Sequence, residues 1–165
     1  MKKLFKDEQA VEGFYAWDEH VIYLDFLRSQ GNLLTQRHNV HHELYHMLEV
    51  QMGDLRSKDH EWAALNDASF VYEERDIFRR TPSGGSFFGA PFPGFTSEYA
   101  MTSPEEDRAE VYACLLIPSQ NKIVHRWMQK DGVLKKKVGF IKTLVRMFCD
   151  AMDEHFWQDL GNSKK

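Results

Sequence analysis

The sequence predicts an α+β domain that is rich in helices and contains one small sheet. A short β-branched and aromatic run near the start predicts a strand, and most of the chain beyond it has apolar residues at helical spacing. No internal repeat or low-complexity linker divides the chain. With 165 residues, 42% of them hydrophobic, one core is sufficient, so we expect a single domain over residues 1–165.

The strand is predicted in the run HVIYLDFL, His20–Leu27, which the polar turn signal SQGN follows. A first helix is predicted over Leu33–Met52, with Gly53 as its C-cap, and a second over Glu61–Arg80. The segment 81–106 is rich in glycine and proline and contains four phenylalanines. A loop of this length favours a hairpin or lid beside a cleft over plain surface packing.

A third helix is predicted in PEEDRAEVYACLLI, because its start carries several capping signals. Ser103 can act as N-cap, Pro104 suits the first turn and Glu106 completes a capping box, while Pro118 ends the helix. The tail, residues 133–160, is predicted to be one core helix, since apolar residues form a stripe along it. The stripe consists of Ile141, Leu144, Val145, Phe148, Met152 and Phe156.

Charge and hydropathy exclude two classes of partner. A net charge of -4 and a pI near 6.1 are not those of a nucleic-acid-binding protein, and the run Lys135–Lys137 is interpreted as a solvated helix face. No apolar stretch approaches the roughly 20 residues that span a bilayer, so no membrane partner is expected.

The N-terminal sequence MKKLFKDEQAVEGFY is basic but lacks the apolar stretch of a signal peptide. A cytoplasmic location is therefore expected for the sequence as it stands, and secretion if a presequence has been removed. The oligomeric state is not encoded in any motif, and a monomer is favoured.

The segment NVHHELYHMLEV, residues 39–50, carries the strongest chemical signal. Residues four apart share one face of a helix, so His42 and His46 can both direct imidazole nitrogens at one metal ion. Glu43 is rotated by about 100° from His42 and can reach a water beside that ion. This HExxH arrangement supplies two ligands and a general base; the alternative is a helix with exposed histidines.

The other histidines of this segment, His38 and His41, lack the phase to join this pair, and we assign them to surface or second-shell positions. Catalytic zinc usually has three protein ligands and one open position, so a third ligand must come from another element. Among 25 acidic residues, Glu106 and Glu110 have the strongest context, because they share a helix face just after the Gly/Pro/Phe segment. One can ligate while the other orients a ligating histidine. The alternative is a capping box with an exposed acidic face.

These motifs resemble a known family. HELYH followed by Tyr99, Glu106 and Glu110 resembles the catalytic domain of anthrax lethal factor and the secreted Pro-Pro endopeptidases, which are gluzincin-type zinc peptidases. The stretch GFTSEYAMTSPEEDRAEVYA is also similar to a broad set of bacterial zinc metallopeptidase sequences. The resemblance covers about residues 21–116. Tyr45 stands where these peptidases often carry glycine, so the packing behind the metal-binding helix must differ.

The resemblance implies a zincin-like fold with one catalytic Zn²⁺, held by His42, His46 and Glu106. It further implies that Glu43 is the general base, Glu110 an outer-shell partner and Tyr99 a donor to the transition state.

The expected function is zinc-dependent endopeptidase activity on peptide or protein substrates. We expect the VIYLDF strand to border the cleft as an edge strand and to bind substrate by strand addition. The alternatives are a zinc amidohydrolase that uses the same water, and a zinc-binding interaction protein that has lost catalysis. Retention of Glu43 between both histidines favours an active enzyme over the last alternative.

Overall fold

A computed structural model describes residues 13–16, 18–24, 32–53, 55–72 and 92–162. Within these ranges, two strands precede a series of helices. The elements are β1 (Gly13–Ala16), β2 (Val21–Leu24), α1 (Leu33–Met52), α2 (Leu55–Ala63), a 3₁₀ turn (Tyr99–Met101), α3 (Pro104–Leu116), α4 (Pro118–Trp127), α5 (Gly132–Phe148) and α6 (Glu154–Asn162). The predictions for residues 25–27, 73–80 and 81–91 lie outside the described residues.

The small sheet is an antiparallel pair of strands, in which Gly13 pairs with Leu24 and Ala16 with Val21. β2 lies inside the predicted strand, whereas β1 was not predicted. Both strands contact α1, so the sheet lies against that helix. The helix-rich α+β architecture with one small sheet is thereby confirmed for the described residues.

Helix α1 has the predicted bounds, and both of its ends are capped. The side chain of Asn32 accepts hydrogen bonds from the backbone N–H groups of Leu34 at 3.0 Å and Thr35 at 3.2 Å. Gly53 ends the helix with a φ of 63°, a left-handed conformation that glycine adopts without strain. These local signals explain why the sequence sufficed to place the helix.

The second predicted helix was wrong over residues 64–72, because α2 ends at Ala63 and turns follow it. The Asp67 carboxylate accepts from the backbone N–H of Ser69 at 2.9 Å, and the N–H of Phe70 donates to the Asp67 carbonyl at 2.9 Å. An aspartate that bonds its own backbone in this way competes with helix formation. The apolar pattern alone did not reveal this turn.

Helix α3 begins as predicted: the Ser103 hydroxyl accepts from the backbone N–H of Glu106 at 3.2 Å. Pro118 ends α3 and also opens α4, where its lack of an N–H is harmless in the first turn. The Asn121 side chain donates to the Leu115 carbonyl at 2.7 Å and so satisfies one of the last carbonyl groups of α3.

The tail forms two helices, so the prediction of one continuous helix was wrong. Cys149 is extended, with φ and ψ of -141° and 102°, and ends α5. Asp153 then accepts from the backbone N–H of Phe156 at 3.0 Å, as an N-terminal cap does. Phe148, placed on the predicted core stripe, is 50% exposed because the chain turns directly after it.

The core lies around α3, which contacts α1, α2, α4 and α5. All of residues 107–115 are buried. The apolar side chains that surround them include Tyr45, Trp62, Val124, Leu134, Val138, Ile141, Val145 and Trp157. Tyr45 fills the space behind α1, with its ring centroid 5.0 Å from that of Tyr112. Within the described part of the chain, no helix is long and apolar enough to cross a membrane.

The interpretation of Lys135–Lys137 as a solvated helix face was wrong for its last residue. Lys135 and Lys136 are exposed, whereas Lys137 is fully buried and donates to the Asp107 carboxylate at 2.6 Å. The buried carboxylate on α3 therefore determines the position of this lysine, and the basic run does not reveal it.

Candidate metal centre

Successive turns of α1 bring two imidazoles together on the face that meets α3. The Nε2 atoms of His42 and His46 lie 3.1 Å apart, and their ring centroids are 4.8 Å apart. His42 is buried and His46 is partly buried. The predicted helical spacing thus brings both nitrogens within reach of one metal ion.

The first turn of α3 adds a carboxylate oxygen to this pair. Glu106 Oε2 lies 2.9 Å from His42 Nε2 and 3.5 Å from His46 Nε2. Ser103 and Pro104 fix the start of α3, and Glu106 follows within its first turn. The carboxylate that lies nearest to both imidazoles therefore comes from a separate element, and its role as third ligand stays a prediction.

The three donor atoms fit one zinc ion. They are separated by 2.9, 3.1 and 3.5 Å. Zinc bonds of about 2.0–2.1 Å at tetrahedral angles place neighbouring ligand atoms roughly 3.3 Å apart. Two imidazoles and one carboxylate are also ligands that zinc commonly takes in catalytic sites, with a fourth position left to water. Both the spacing and the chemistry of this donor set suit a catalytic zinc site.

Electrostatics of the site match this donor set. Burial raises the pKa of the Glu106 carboxyl, but hydrogen bonds from His42 and His46 outweigh it and hold that pKa well below its ordinary value. Burial lowers the pKa of His42, yet Glu106 and Glu110 together raise it to about 10. The Glu106 carboxylate is thus ionised at neutral pH, the form in which a carboxylate binds a metal ion.

Glu110 lies behind His42 and accepts three hydrogen bonds. Its Oε1 accepts from His42 Nδ1 at 3.0 Å and from His38 Nε2 at 2.8 Å, and its Oε2 accepts from the Ser97 hydroxyl at 2.6 Å. His38, His42 and Glu110 also group potential ligand atoms. The imidazoles of His38 and His42 lie at hydrogen-bond distance from the same oxygen of Glu110. We therefore interpret this group as one that orients the imidazole of His42.

The remaining histidines of α1 differ in environment. His38 is buried, and its Nδ1 lies 3.1 Å from the side-chain oxygen of Gln120. Of the two positions expected for His38, the structure therefore excludes the surface, and a role behind the metal ligands stays a prediction. His41 is partly buried, and burial lowers its pKa.

Glu43 lies beside the cluster and under the first strand. It is 7% exposed, and the backbone N–H of Tyr15 donates to its carboxylate. Gly13 is so close that a Cβ atom there would lie 3.1 Å from Glu43 Cγ and 3.2 Å from Oε1. Burial raises the pKa of Glu43, although the neighbouring His42 and His46 oppose the shift.

Strand β1 thus contacts Glu43. The sequence had instead predicted the VIYLDF strand beside the cleft. β1 was not predicted, because four residues in a polar N-terminal region give too short a pattern.

Tyr99 lies on the 3₁₀ turn that precedes α3, and its ring centroid is 5.8 Å from that of His42. Its phenol donates to the Glu106 carboxylate. Burial raises the pKa of Tyr99 far above its ordinary value, and the carboxylates of Glu106, Glu110 and Glu43 raise it further. The phenol is therefore protonated at neutral pH and able to donate.

A family model described as "Putative zinc-binding metallo-peptidase" matches residues 20–147. The matched range begins just before β2 and ends within α5, and it includes all residues of the His42, His46 and Glu106 cluster. Comparisons with curated proteins and with solved structures return no match.

Proposed function

The chain belongs to this family of zinc-binding metallopeptidases, and on that premise we propose that it is a zinc-dependent endopeptidase of the HExxH, gluzincin type. One catalytic zinc would be held by His42, His46 and Glu106. The observation that carries the proposal is the convergence of three ligand atoms from α1 and α3 within 3.5 Å, with Glu43 beside them. We further propose a zincin-like fold and a single domain over residues 1–165.

Zinc, when bound, supplies Lewis acidity that lowers the pKa of a water molecule and polarises the substrate carbonyl. Glu43 is placed to accept the proton of the attacking water and to pass it to the leaving amine. Burial raises the pKa of its carboxyl, which makes Glu43 a stronger base than an exposed glutamate. The N–H of Tyr15 holds the carboxylate in place.

Tyr99 and Glu110 would complete the machinery. The protonated phenol of Tyr99 can donate to the oxyanion that develops on the peptide carbonyl. Glu110 accepts from Nδ1 of His42 and so leaves Nε2 of the same ring free for the metal. These are the roles that the resemblance implied for both residues.

The substrate class follows from the family and is a peptide or protein. We propose that an extended peptide adds as a strand to the small sheet, because β1 contacts Glu43 and thereby brings the sheet to the general base. A peptide aligned in this way passes the reacting groups with its backbone extended. We infer no nucleic-acid partner, and a monomer suffices for this arrangement.

The proposal is tested with Glu43→Gln, with Glu61→Gln on the exposed face of α2 as the matched control. Glu43→Gln should retain one zinc per chain and lose casein digestion by roughly 10²–10⁴-fold, the usual contribution of general acid–base catalysis. Glu61→Gln should retain both, and phenanthroline should abolish digestion by the parent. If Glu43→Gln digests casein as fast as the parent does, the assignment of Glu43 as general base is wrong.

Two further results would favour the alternatives. A zinc-loaded parent protein that cleaves no peptide would indicate an interaction protein that has lost catalysis. A protein that hydrolyses only small amides would indicate an amidohydrolase. Glu106→Ala is expected to lose zinc on dialysis against a mild chelator, and full retention would reject Glu106 as ligand.

A further inference from the structure

Resting on the proposed function, we propose that Ser97 is a positioning residue that couples the turn carrying Tyr99 to the ligand His42. Ser97 is 1% exposed and lies two residues before Tyr99. Its hydroxyl donates to Glu110 Oε2 at 2.6 Å and accepts from the backbone N–H of Ala100 at 3.0 Å. One side chain thus bonds both the 3₁₀ turn and the carboxylate behind the metal centre.

The path from Ser97 to the metal centre is short. The two oxygens of Glu110 serve different partners: Oε2 accepts from Ser97, and Oε1 accepts from His42 Nδ1 at 3.0 Å. A displacement of the turn that carries Ser97 therefore moves or rotates the carboxylate that sets the orientation of His42. In the other direction, the same hydroxyl fixes the N–H of Ala100, the residue next to Tyr99.

Ser97 belongs to the segment of residues 94–101, and contacts with α5 fix the start of this segment independently of the metal centre. The backbone N–H of Gly94 donates to Asp131 at 2.6 Å, and the ammonium of Lys137 lies 3.6 Å from the ring centroid of Phe95. A Cβ atom on Gly94 would lie 2.5 Å from Val133 Cγ1, so the chain passes close to α5 here. Held at α5 by these contacts, the segment of residues 94–101 bonds through Ser97 to the carboxylate of Glu110, behind His42.

A simpler role for Ser97 would be to satisfy a buried carboxylate. His38 separates the two roles, because it also donates to Glu110, at 2.8 Å, but belongs to α1 and not to the turn. Removal of either donor leaves Glu110 less well held. Only removal of Ser97 should also loosen the turn that carries Tyr99, because only Ser97 accepts from the backbone N–H of Ala100.

The experiment compares Ser97→Ala with His38→Leu, and Ser97→Thr serves as the variant that restores a hydroxyl. Zinc affinity is measured by competition with a chromophoric chelator. Both Ser97→Ala and His38→Leu are expected to weaken it by about 10–100-fold, the usual effect of losing an outer-shell partner. Ser97→Thr should recover most of the loss.

The deciding measurement is the effect of Tyr99→Phe on kcat at saturating zinc in each background. Removal of one oxyanion donor costs about 10²–10³-fold in kcat, and that factor is expected in the parent and in His38→Leu. In Ser97→Ala the factor should fall below about tenfold, because the phenol is already misplaced. An undiminished Tyr99→Phe factor in Ser97→Ala would overturn the proposal, as would unchanged zinc affinity.

A readout without turnover separates this proposal from the proposed function. With fluorotyrosine-labelled protein, Ser97→Ala should shift the ¹⁹F resonance of Tyr99, assigned by its loss in Tyr99→Phe, whereas His38→Leu should not. If the parent is inactive but Ser97→Ala shows this shift, the proposed peptidase function is rejected and the coupling of Ser97 to Tyr99 is retained. No shift would reject the coupling in an active enzyme. If Ser97→Ala does not fold, Ser97→Cys, whose thiol is a weak donor, carries the same measurements.

Discussion

The buried ion pair of Asp107 and Lys137 gives the sharpest stability prediction, for the variant Lys137→Met. The ammonium of Lys137 has no exposure and donates to Asp107 Oδ2 at 2.6 Å. The same oxygen accepts from Trp62 Nε1 at 2.8 Å and from the Tyr72 hydroxyl at 2.6 Å. The variant therefore leaves a buried carboxylate with two neutral donors and no countercharge.

The size of the effect follows from this burial. Burial raises the pKa of Asp107 and lowers the pKa of Lys137, so each charge depends on the other to remain in the core. Removal of one partner of such a pair destabilises a protein by roughly 3–5 kcal/mol. Methionine keeps most of the side-chain volume, so a cavity adds little. At about 2–4 °C per kcal/mol for a chain of this size, the melting temperature should fall by about 6–20 °C.

The assay is thermal and urea denaturation of Lys137→Met, with Lys136→Met on the exposed face of the same helix as control. The control should change the free energy of unfolding by less than about 0.5 kcal/mol. In the double variant with Asp107→Asn, part of the stability should return, because the unpaired charge is removed. If Lys137→Met has the same melting temperature as the control, the charge pair contributes no stability and the expected loss of roughly 3–5 kcal/mol is refuted.

The loss should also depend on pH. Without Lys137, burial raises the pKa of folded Asp107 further above its value in the unfolded chain, which is about 4. A raised pKa in the folded state means that folding is favoured by protonation. The deficit of Lys137→Met should therefore be largest at neutral pH and shrink as the pH falls towards 4, relative to Lys136→Met at each pH.

Three further predictions concern the site. In Gly13→Ala the new Cβ would lie 3.1 Å from Glu43 Cγ, so this variant should displace Glu43 and lower kcat by up to about tenfold with zinc retained. The control is Gly139→Ala, where a Cβ has no atom within 4 Å, and its kcat should be unchanged. Equal kcat values in the two variants would reject the contact. Tyr99→Phe should lower kcat far more than it changes KM, because the donor acts in the transition state, and a pure KM effect would reject that role. Zinc at 100 times its Kd should add about 2.7 kcal/mol to the free energy of unfolding of the parent, so a chelator should lower the melting temperature of the parent but not that of His46→Ala. The far-UV circular dichroism of the parent should stay unchanged.

The sequence predicted those parts of the fold and site that depend on local signals. The bounds of α1 and the start of α3 follow from capping residues and glycine within a few positions of each end. The meeting of His42 and His46 follows from helical periodicity alone. Placement of Glu106 beside them needed the resemblance, because spacing within α3 left Glu106 and Glu110 equivalent. Their catalytic roles remain predictions.

The parts that the sequence did not predict depend on distant partners. Nothing around Lys137 indicates that a carboxylate on another helix waits to pair with it. Ser97 has no sequence signal, because its role arises from simultaneous contact with Glu110 and the 3₁₀ turn. Gly13 is similar: a glycine in an unremarkable N-terminal run becomes significant only because β1 crosses Glu43.

Helix α3 explains how a small protein can bury the charged side chains of the candidate site. Successive residues of this helix point to different neighbours: Glu106 to the histidines of α1, Asp107 to Lys137 on α5, and Arg108 to α1 and α2. The guanidinium of Arg108 is fully buried and donates to Glu49 and, at 2.7 Å, to Asp59. A helix buried on all these sides has no apolar stripe, so its sequence resembles an exposed acidic helix. Because the Arg108 and Asp107 pairs hold α3 against α1 and α5 without using any of the candidate ligands, the position of Glu106 does not depend on the metal. Zinc is therefore expected to bind a site that is already assembled.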